Sequence, residues 1–206
     1  MFGLLDALDG PFFEGWFRRF CGTRVGRRVL DEDRDLLSLL ADRAFLATLP
    51  AGSLGRAYDD FVGRENLSPE TLVEASTVGE DSWDTWGDRE RIRFAERLRD
   101  QHDLEHVVTG YGRDEIGETE LLAFDLGQST SLGLAVLAGL GWLEAERDER
   151  RRIIAAFRRG RRSAWLPATD WENLIGLPLV DVRSVLGVGE PPHPPEPRRE
   201  NSSAAA

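Results

Sequence analysis

Residues 102–128 read HDLEHVVTGYGRDEIGETELLAFDLGQ, and they contain two of the three histidines of the chain. The apolar spacing before and within this stretch predicts one helix over about 89–108 and a second over about 113–128. The glycines and tyrosine at 110–112 predict a short turn between the two helices. The sequence therefore predicts a helical hairpin over about 89–128, which carries two of the three histidines.

The two histidines of the hairpin are spaced so that a metal ion could bind them together. At about 100° per residue, His106 lies about 40° around the helix from His102, and Asp103 lies about 100° from it. Glu118 follows near the start of the second helix, where antiparallel packing would bring it back toward the histidines. Gly117 would permit the helices to approach closely. Two imidazoles and nearby carboxylates form a suitable nitrogen and oxygen ligand set for a divalent metal.

The alternation of apolar and polar residues that is typical of strands occurs over no useful length of the chain. The sequence therefore predicts an all-α fold class. One helix is expected over about 33–48, and another is expected to begin at the capping residue Ser53. Residues 132–143, LGLAVLAGLGWL, are apolar on every face, so we expect that helix to be buried or to line an apolar cavity. One compact multi-helix domain over 1–188 is therefore expected, followed by a disordered proline-rich tail over 189–206 that contains His193.

The composition excludes several classes of protein. The net charge of −11 argues against general nucleic-acid binding, although all 26 basic residues are arginine. The single cysteine, Cys21, excludes an internal disulfide and a thiolate metal cluster. The N-terminus lacks the pattern of a signal or transit peptide, and the run at 132–143 is shorter than the roughly 20 residues of a transmembrane helix.

Two features of the sequence allow two interpretations each. The aromatic face at positions 12, 13, 16, 17 and 20 fits a helix packed on the core, or an interfacial helix inserted into a bilayer. The arginine cluster of residues 147–162 fits a solvated helix face paired with neighbouring glutamates, or a patch that binds anionic lipid or a partner. The cluster comprises Arg147, Arg150, Arg151, Arg152, Arg158, Arg159, Arg161 and Arg162.

Two known kinds of metal site fit the histidine pair poorly. A zinc protease of the His-Glu-x-x-His kind needs glutamate after the first histidine, and that position is Asp103 here. Phosphohydrolases with a His-Asp doublet need a further histidine upstream, and none precedes His102.

The segment 102–128 resembles the Coq-four family of ubiquinone (coenzyme Q) biosynthesis proteins, whose signature is His-Asp-x-x-His, eleven residues and Glu. The residues that match it here are His102, Asp103, His106 and Glu118. The element LPAGSLGRAYDDF at 49–61 and the C-terminal stretch from 160 to 188 are similar to other parts of the family pattern. Leu122 departs from the lysine that many members carry, and Ser129-Thr130-Ser131 departs from their turn sequence. Neither departure touches the ligand residues.

The resemblance implies a metal-binding, peripheral membrane protein, and we expect it to be a bacterial member of the family.

 It implies that the four motif residues hold a divalent metal, and that they take part in catalysis through it. The implied reaction is an oxidative decarboxylation, in which hydroxyl replaces the C1 carboxylate of a polyprenylated 4-hydroxybenzoate. Zinc is the default metal for such ligands, while iron, cobalt and manganese stay open. Residues that contact the substrate are not indicated.

The resemblance also implies a location and partners. For a bacterial member the location is the cytoplasmic face of the inner membrane, where the protein would contact the membrane surface, the polyprenylated benzoate or quinone lipid and other ubiquinone biosynthesis proteins. A homodimer is a further option. The alternative function is a lipid-binding scaffold that organises the membrane-bound biosynthetic complex and uses the metal only structurally.

Overall fold

The computed structural model describes residues 2–64, 88–129 and 131–192, with side chains from position 12 onward. Within these ranges the predicted all-α class is confirmed, since the chain forms no strand and only an isolated bridge joins Ser53 to Pro178. Of the predicted tail over 189–206, residues 189–192 are described, whereas His193 and residues 194–206 lie outside the described residues. The helices are α1 (Phe2–Cys21), α2 (Arg24–Asp31), α3 (Leu36–Ala41), α4 (Arg43–Thr48), α5 (Leu54–Arg64), α6 (Arg89–Asp100), α7 (His102–Thr109), α8 (Glu115–Gln128), α9 (Leu132–Glu144), α10 (Arg147–Gly160), α11 (Trp171–Leu174) and α12 (Leu179–Leu186), with a 3₁₀ turn at Leu166–Ala168.

Two helices that the sequence predicts as continuous are each interrupted by one polar residue. Asp42 separates α3 from α4, because its carboxylate accepts the Phe45 N–H at 2.9 Å and caps a new helix. Gln101 separates α6 from α7 but keeps near-helical angles of φ −77° and ψ −13°. The segment that carries the histidines therefore continues from α6 after a break of a single residue.

The larger hydrophobic core surrounds α8, which crosses α10 at very short range. A Cβ built on Gly160 would lie 2.0 Å from the carbonyl oxygen of Phe124, and one on Gly127 would lie 2.3 Å from that of Phe157. Only glycine at these two positions allows the backbones to approach so closely. The contact fixes α8, the helix that carries Glu118, against the core.

The aromatic face of α1 packs inside the protein. Phe17 and Phe20 are buried in a second hydrophobic cluster, in which the ring of Phe20 lies 4.7 Å from that of Phe94 on α6. Trp16 meets Trp165 edge to face at 6.3 Å. These contacts support the interpretation of this face as part of the core, because the same rings are not available to a bilayer.

The expectation that α9 is buried is wrong for one side of the helix. Leu132, Leu140 and Leu143 are 50%, 53% and 62% exposed. The reason is that α9 turns its small residues toward α8: a Cβ on Gly141 would lie 2.6 Å from the side chain of Thr119. The larger side chains are left on the outside. Among the described helices, none has both the length and the apolar character needed to cross a membrane.

The arginine cluster of residues 147–162 divides into structural and exposed members. Arg152 donates two hydrogen bonds to Glu120, and Arg159 donates to several backbone carbonyls, including those of Thr109 and Gly189. Arg150 donates to carbonyls at the end of α9. The members with exposed positions include Arg147, Arg151, Arg158, Arg161 and Arg162. Only this exposed set fits the predicted lipid or partner patch.

Candidate metal centre

Three of the four predicted ligand residues meet at one point between α7 and α8. His102 and His106 lie one turn apart on α7, with their rings 4.8 Å apart and nearly perpendicular. Glu118 lies in the first turn of α8, and one ligand atom from each of the three residues falls within 4.8 Å of the other two. The antiparallel packing expected from the sequence therefore brings Glu118 back to the histidines.

The hydrogen bonding of His106 defines which ring nitrogen is available. Its Nδ1 lies 3.1 Å from the carbonyl oxygen of Tyr111, which can only accept, so Nδ1 carries the proton in the neutral ring. The opposite nitrogen, Nε2, is buried and has no hydrogen-bond partner. It lies 3.4 Å from Oε1 of Glu118, while the ring of Phe61 stacks against the imidazole at 5.8 Å. In the neutral ring, Nε2 is therefore the nitrogen whose lone pair faces the site.

Asp103 occupies a different position from the other three. Its Oδ1 lies 3.6 Å from Nδ1 of His102, whereas Nε2 of the same ring lies 3.7 Å from Oε2 of Glu118. Asp103 is therefore placed behind His102, where a carboxylate can hold the ring of a metal-binding histidine in position. Its role as a fourth ligand stays a prediction.

The turn between α7 and α8 sets the position of Glu118. Gly110 ends α7 with φ +79°, a conformation that glycine adopts without strain. Asp114 then caps α8 by accepting the Gly117 N–H at 3.2 Å. Arg113, which precedes this cap, has its Nε 3.7 Å from Oε1 of Glu118.

The charges of the site favour ionised carboxylates beside the histidines. Burial raises the pKa of Glu118, but His106, His102 and Arg113 lower it by more, so that its pKa lies below the ordinary value. The pKa of Asp103 is lowered in the same way, against burial, chiefly by His102. Burial opposes the charged form of His102, but Asp103 and Glu118 more than offset it and raise the pKa of this ring. These are the charge preferences of a site that attracts a cation.

A second pair of carboxyls, Glu105 and Asp125, interacts electrostatically with the site through His102 and was not predicted from the sequence. Burial raises the pKa of Asp125 to about 7, and burial with the nearby charge of Asp125 raises the pKa of Glu105 well above its ordinary value. Asp125 follows Glu118 by seven residues, or two helical turns, so it lies on the same face of α8. This seven-residue spacing is the feature of the sequence from which the position of Asp125 could have been predicted.

The C-terminal region holds α6 and α7 in place from the other side. Gln101 accepts the indole N–H of Trp171 at 3.2 Å and donates to Glu105 at 2.7 Å. Arg97 forms two hydrogen bonds, of 2.7 and 3.0 Å, with the carboxylate of Glu172. The guanidinium of Arg183 donates to backbone carbonyls in the last turn of α7. The histidine helix is thereby anchored independently of any ion.

The residues present fit a divalent metal. Metal bonds of about 2.0–2.1 Å in a tetrahedral site place ligand atoms about 3.3 Å apart, close to the 3.4 Å between His106 Nε2 and Glu118 Oε1. The donor set of two imidazole nitrogens and a carboxylate oxygen suits zinc, iron, cobalt or manganese. The unpartnered Nε2 of His106 supplies the structural reason to expect an ion there.

Comparison with known proteins adds a family relationship to this geometry. A family model described as coenzyme Q (ubiquinone) biosynthesis protein Coq4 matches residues 6–192. The mitochondrial ubiquinone biosynthesis protein COQ4 of Pyricularia oryzae is 28% identical over 205 residues, which cover 97% of this chain and 65% of that protein. Its counterpart from Talaromyces stipitatus is 33% identical over 199 residues, which cover 94% of this chain and 67% of that protein. The chain thus spans about two thirds of the length of these curated relatives.

A solved structure shares the fold. The crystal structure of a candidate ubiquinone biosynthesis protein from Nostoc punctiforme matches with a TM-score of 0.62 over 92% of this chain and 87% of that chain, at 20% sequence identity. At this level of identity, the similarity establishes the fold alone.

Proposed function

The chain belongs to the Coq4 family of coenzyme Q (ubiquinone) biosynthesis proteins, and we propose that it works in that process as a metal-dependent enzyme. The proposed reaction replaces the C1 carboxylate of a polyprenylated 4-hydroxybenzoate with a hydroxyl group. His102, His106 and Glu118 would hold the metal, and Asp103 would either join them or orient His102.

The observation that carries this proposal is the buried, unpartnered Nε2 of His106. Leaving a buried polar atom unsatisfied costs about 1–3 kcal/mol, so such an atom in a native fold requires an explanation. The hydrogen bond from Nδ1 to Tyr111 holds the ring so that Nε2 faces His102 and Glu118. A metal ion bound between these residues would satisfy the nitrogen.

The reaction sets requirements that the chain's own residues meet only in part. Conversion of the acid to the phenol consumes one O₂, two protons and two electrons from an external two-electron reductant, and it releases CO₂ and water. A metal bound here would supply Lewis-acid charge and an open coordination position. His106 is fully buried beneath Phe61, whereas the side chain of His102 is 42% exposed, so substrate would enter on the His102 side. Because zinc is not redox-active, zinc would need an oxidant activated elsewhere, and iron, cobalt or manganese would not.

The exposed face of α9 supports a place for the isoprenoid chain of the substrate. Gly141 of α9 packs on Thr119, the residue after Glu118, so this helix passes close to the metal centre. The exposed residues on its outer face are apolar, comprising Leu132, Val136, Leu140 and Leu143. In the proposed function they contact the isoprenoid tail, and the protein works at the cytoplasmic face of the inner membrane of a bacterium.

Metal analysis of the purified protein tests the proposal most directly. We expect about one equivalent of metal in the wild type and almost none in Glu118→Ala, with loss of conversion of the carboxylated lipid. The matched control is Glu115→Ala, which removes an exposed glutamate from the first turn of the same helix. Equal metal content in the wild type and Glu118→Ala would overturn the proposal.

The same apolar face of α9 also favours a second function, that of a scaffold that binds lipid and other biosynthetic proteins. His106→Ala separates the two functions in cells. For the enzyme, the protein and its complex persist while the carboxylated intermediate accumulates. For the scaffold with a structural metal, the fold or the complex is lost together with the metal.

A further inference from the structure

Arg113 lies at the metal centre without a hydrogen-bonded partner. It occupies the turn between α7 and α8, and its Nε lies 3.7 Å from Oε1 of Glu118. That distance permits an ion pair but exceeds the length of a hydrogen bond. Within the described part of the chain, the guanidinium therefore forms no hydrogen bond, and 31% of its side chain is exposed.

Other arginines near the site donate hydrogen bonds to groups of the protein itself. Arg97 binds the carboxylate of Glu172 with two hydrogen bonds, and Arg183 donates two to backbone carbonyls of α7. Arg152 binds Glu120 in the same bidentate manner. These three arginines hold the fold together. Arg113 differs because its planar set of N–H donors is available to an external anion.

The location of Arg113 matches the accessible side of the metal centre. His106 closes one side with a side chain that is fully buried, whereas His102 and Glu118 are 42% and 33% exposed. Arg113 lies beside Glu118 on the exposed side. A molecule that approaches the ligands from solvent would therefore meet its guanidinium.

An anion needs a positively charged residue such as Arg113 in order to enter this site, because the site is acidic. Asp103 and Glu118 carry negative charge there, since the pKa of each carboxyl lies below its ordinary value. The positive charge of Arg113 lowers the pKa of both Asp103 and Glu118, so it acts on both carboxylates of the ligand group. A carboxylate that approached without it would be repelled by the acidic residues.

We propose that Arg113 binds the carboxylate of the substrate at the entrance to the metal centre. This inference rests on the proposed function and adds a specificity-determining residue to it. The guanidinium holds the carboxylate with paired N–H···O hydrogen bonds and so favours the acid over uncharged relatives that carry the same ring and tail. The simpler alternative is that Arg113 only neutralises Glu118.

Binding to the zinc-loaded full-length protein tests the inference without turnover. The probes are 4-hydroxy-3-prenylbenzoate, with a single five-carbon chain, and its methyl ester, and Kd is measured for each by titration. We expect the wild type to prefer the acid. Arg113→Gln should weaken binding of the acid by about 10–100-fold and leave the ester unchanged, since hydrogen bonds to a charged group are worth that much. Arg113→Lys should restore part of the preference, because lysine keeps the charge without the planar pair of donors.

The control and the remaining outcomes make the test decisive. Arg158→Gln removes an exposed arginine from α10 and should leave both Kd values unchanged. If Arg113→Gln keeps the wild-type preference for the acid, or if it loses zinc, the inference is wrong while the proposed function stands. If the wild type binds neither probe, the proposed function fails as well.

Discussion

Glu118 and Glu120 lie two residues apart on α8 and have opposite surroundings. Glu120 is 1% exposed, and both of its carboxylate oxygens accept hydrogen bonds from Arg152, at 3.0 and 2.9 Å. Glu118 is partly exposed and faces two histidines and Arg113, all at 3.4–3.7 Å. The two residues share a helix and a side-chain chemistry, so their different roles come from the partners that face them.

The partners of these two glutamates distinguish a structural polar cluster from a ligand site in this fold. The donors and acceptors that join Glu120 to Arg152 match each other, and nothing further is needed to stabilise them. Around Glu118 the nearest groups are held just beyond hydrogen-bonding distance, and the buried Nε2 of His106 has no partner. A polar cluster that is held open by the rest of the fold is suited to an ion or a substrate.

The largest expected effect is on metal affinity, in the Glu118→Gln variant. Loss of a residue that only orients a ligand costs about 10–100-fold in metal affinity, so loss of a direct ligand should cost more than about 100-fold. The free energy of unfolding of the metal-free protein should fall by no more than about 1 kcal/mol, because Glu118 is partly exposed and its contacts with the histidines and Arg113 are ion pairs longer than hydrogen bonds. Metal titration and chemical denaturation of the same variant measure the two effects.

Glu120→Gln should show the reverse pattern. The substitution removes a charge from a buried bidentate pair, and we expect the free energy of unfolding to fall by about 2 kcal/mol, within the range for hydrogen bonds to charged groups. Metal affinity should stay within a few-fold of that of the wild type. The distinction between the two glutamates would be lost if Glu120→Gln released metal as readily as Glu118→Gln.

Much of this site could be predicted from local spacing. The four-residue separation of His102 and His106 places them on one helix face wherever the helix lies, and the glycine turn fixes the direction in which α8 returns. The position of Glu118 in the first turn of α8 then brings it toward the histidines. These contacts are short in sequence, and the geometry of a helical hairpin determines them.

The predictions that were wrong or incomplete depend on contacts between distant segments. The sequence of α9 is apolar all round, and only its packing on Thr119 determines that Leu140 is exposed. Similarly, a run of arginines does not reveal that Arg159 donates to the carbonyl of Thr109, fifty residues earlier. Likewise, Gln101 at the break between α6 and α7 accepts a hydrogen bond from Trp171, seventy residues later. Such partners follow from the tertiary fold, which local periodicity does not encode.

The pH dependence of stability provides a third test, through Asp125. Burial raises its pKa to about 7 in the folded protein from an ordinary value of 3.8, so the folded state binds more protons between these values. The free energy of unfolding of the metal-free wild type should therefore fall as pH rises from about 4 to 7, with a slope of at most about 1.4 kcal/mol per pH unit from this group. Asp125→Asn should flatten that slope. A slope unchanged by the substitution would show that the carboxyl is solvated.

The smallest effect on stability is expected for the exposed members of the arginine cluster. Arg158, Arg161 and Arg162 are exposed, and we expect their combined change to glutamine to alter the free energy of unfolding by less than about 0.5 kcal/mol. Arg159→Gln, the matched comparison, should be clearly destabilising, since Arg159 donates to carbonyls that include those of Thr109 and Gly189.

The same variants decide whether the exposed arginines bind membranes. In flotation with anionic liposomes, the triple variant should lose binding relative to the wild type, because each arginine near an anionic surface contributes about 1 kcal/mol that falls with increasing salt. Binding to neutral liposomes should be the same for both proteins. If the triple variant floats with anionic liposomes as well as the wild type does, these arginines form a solvated surface and the apolar face of α9 is left as the membrane contact to test, by Leu140→Ser and Leu143→Ser.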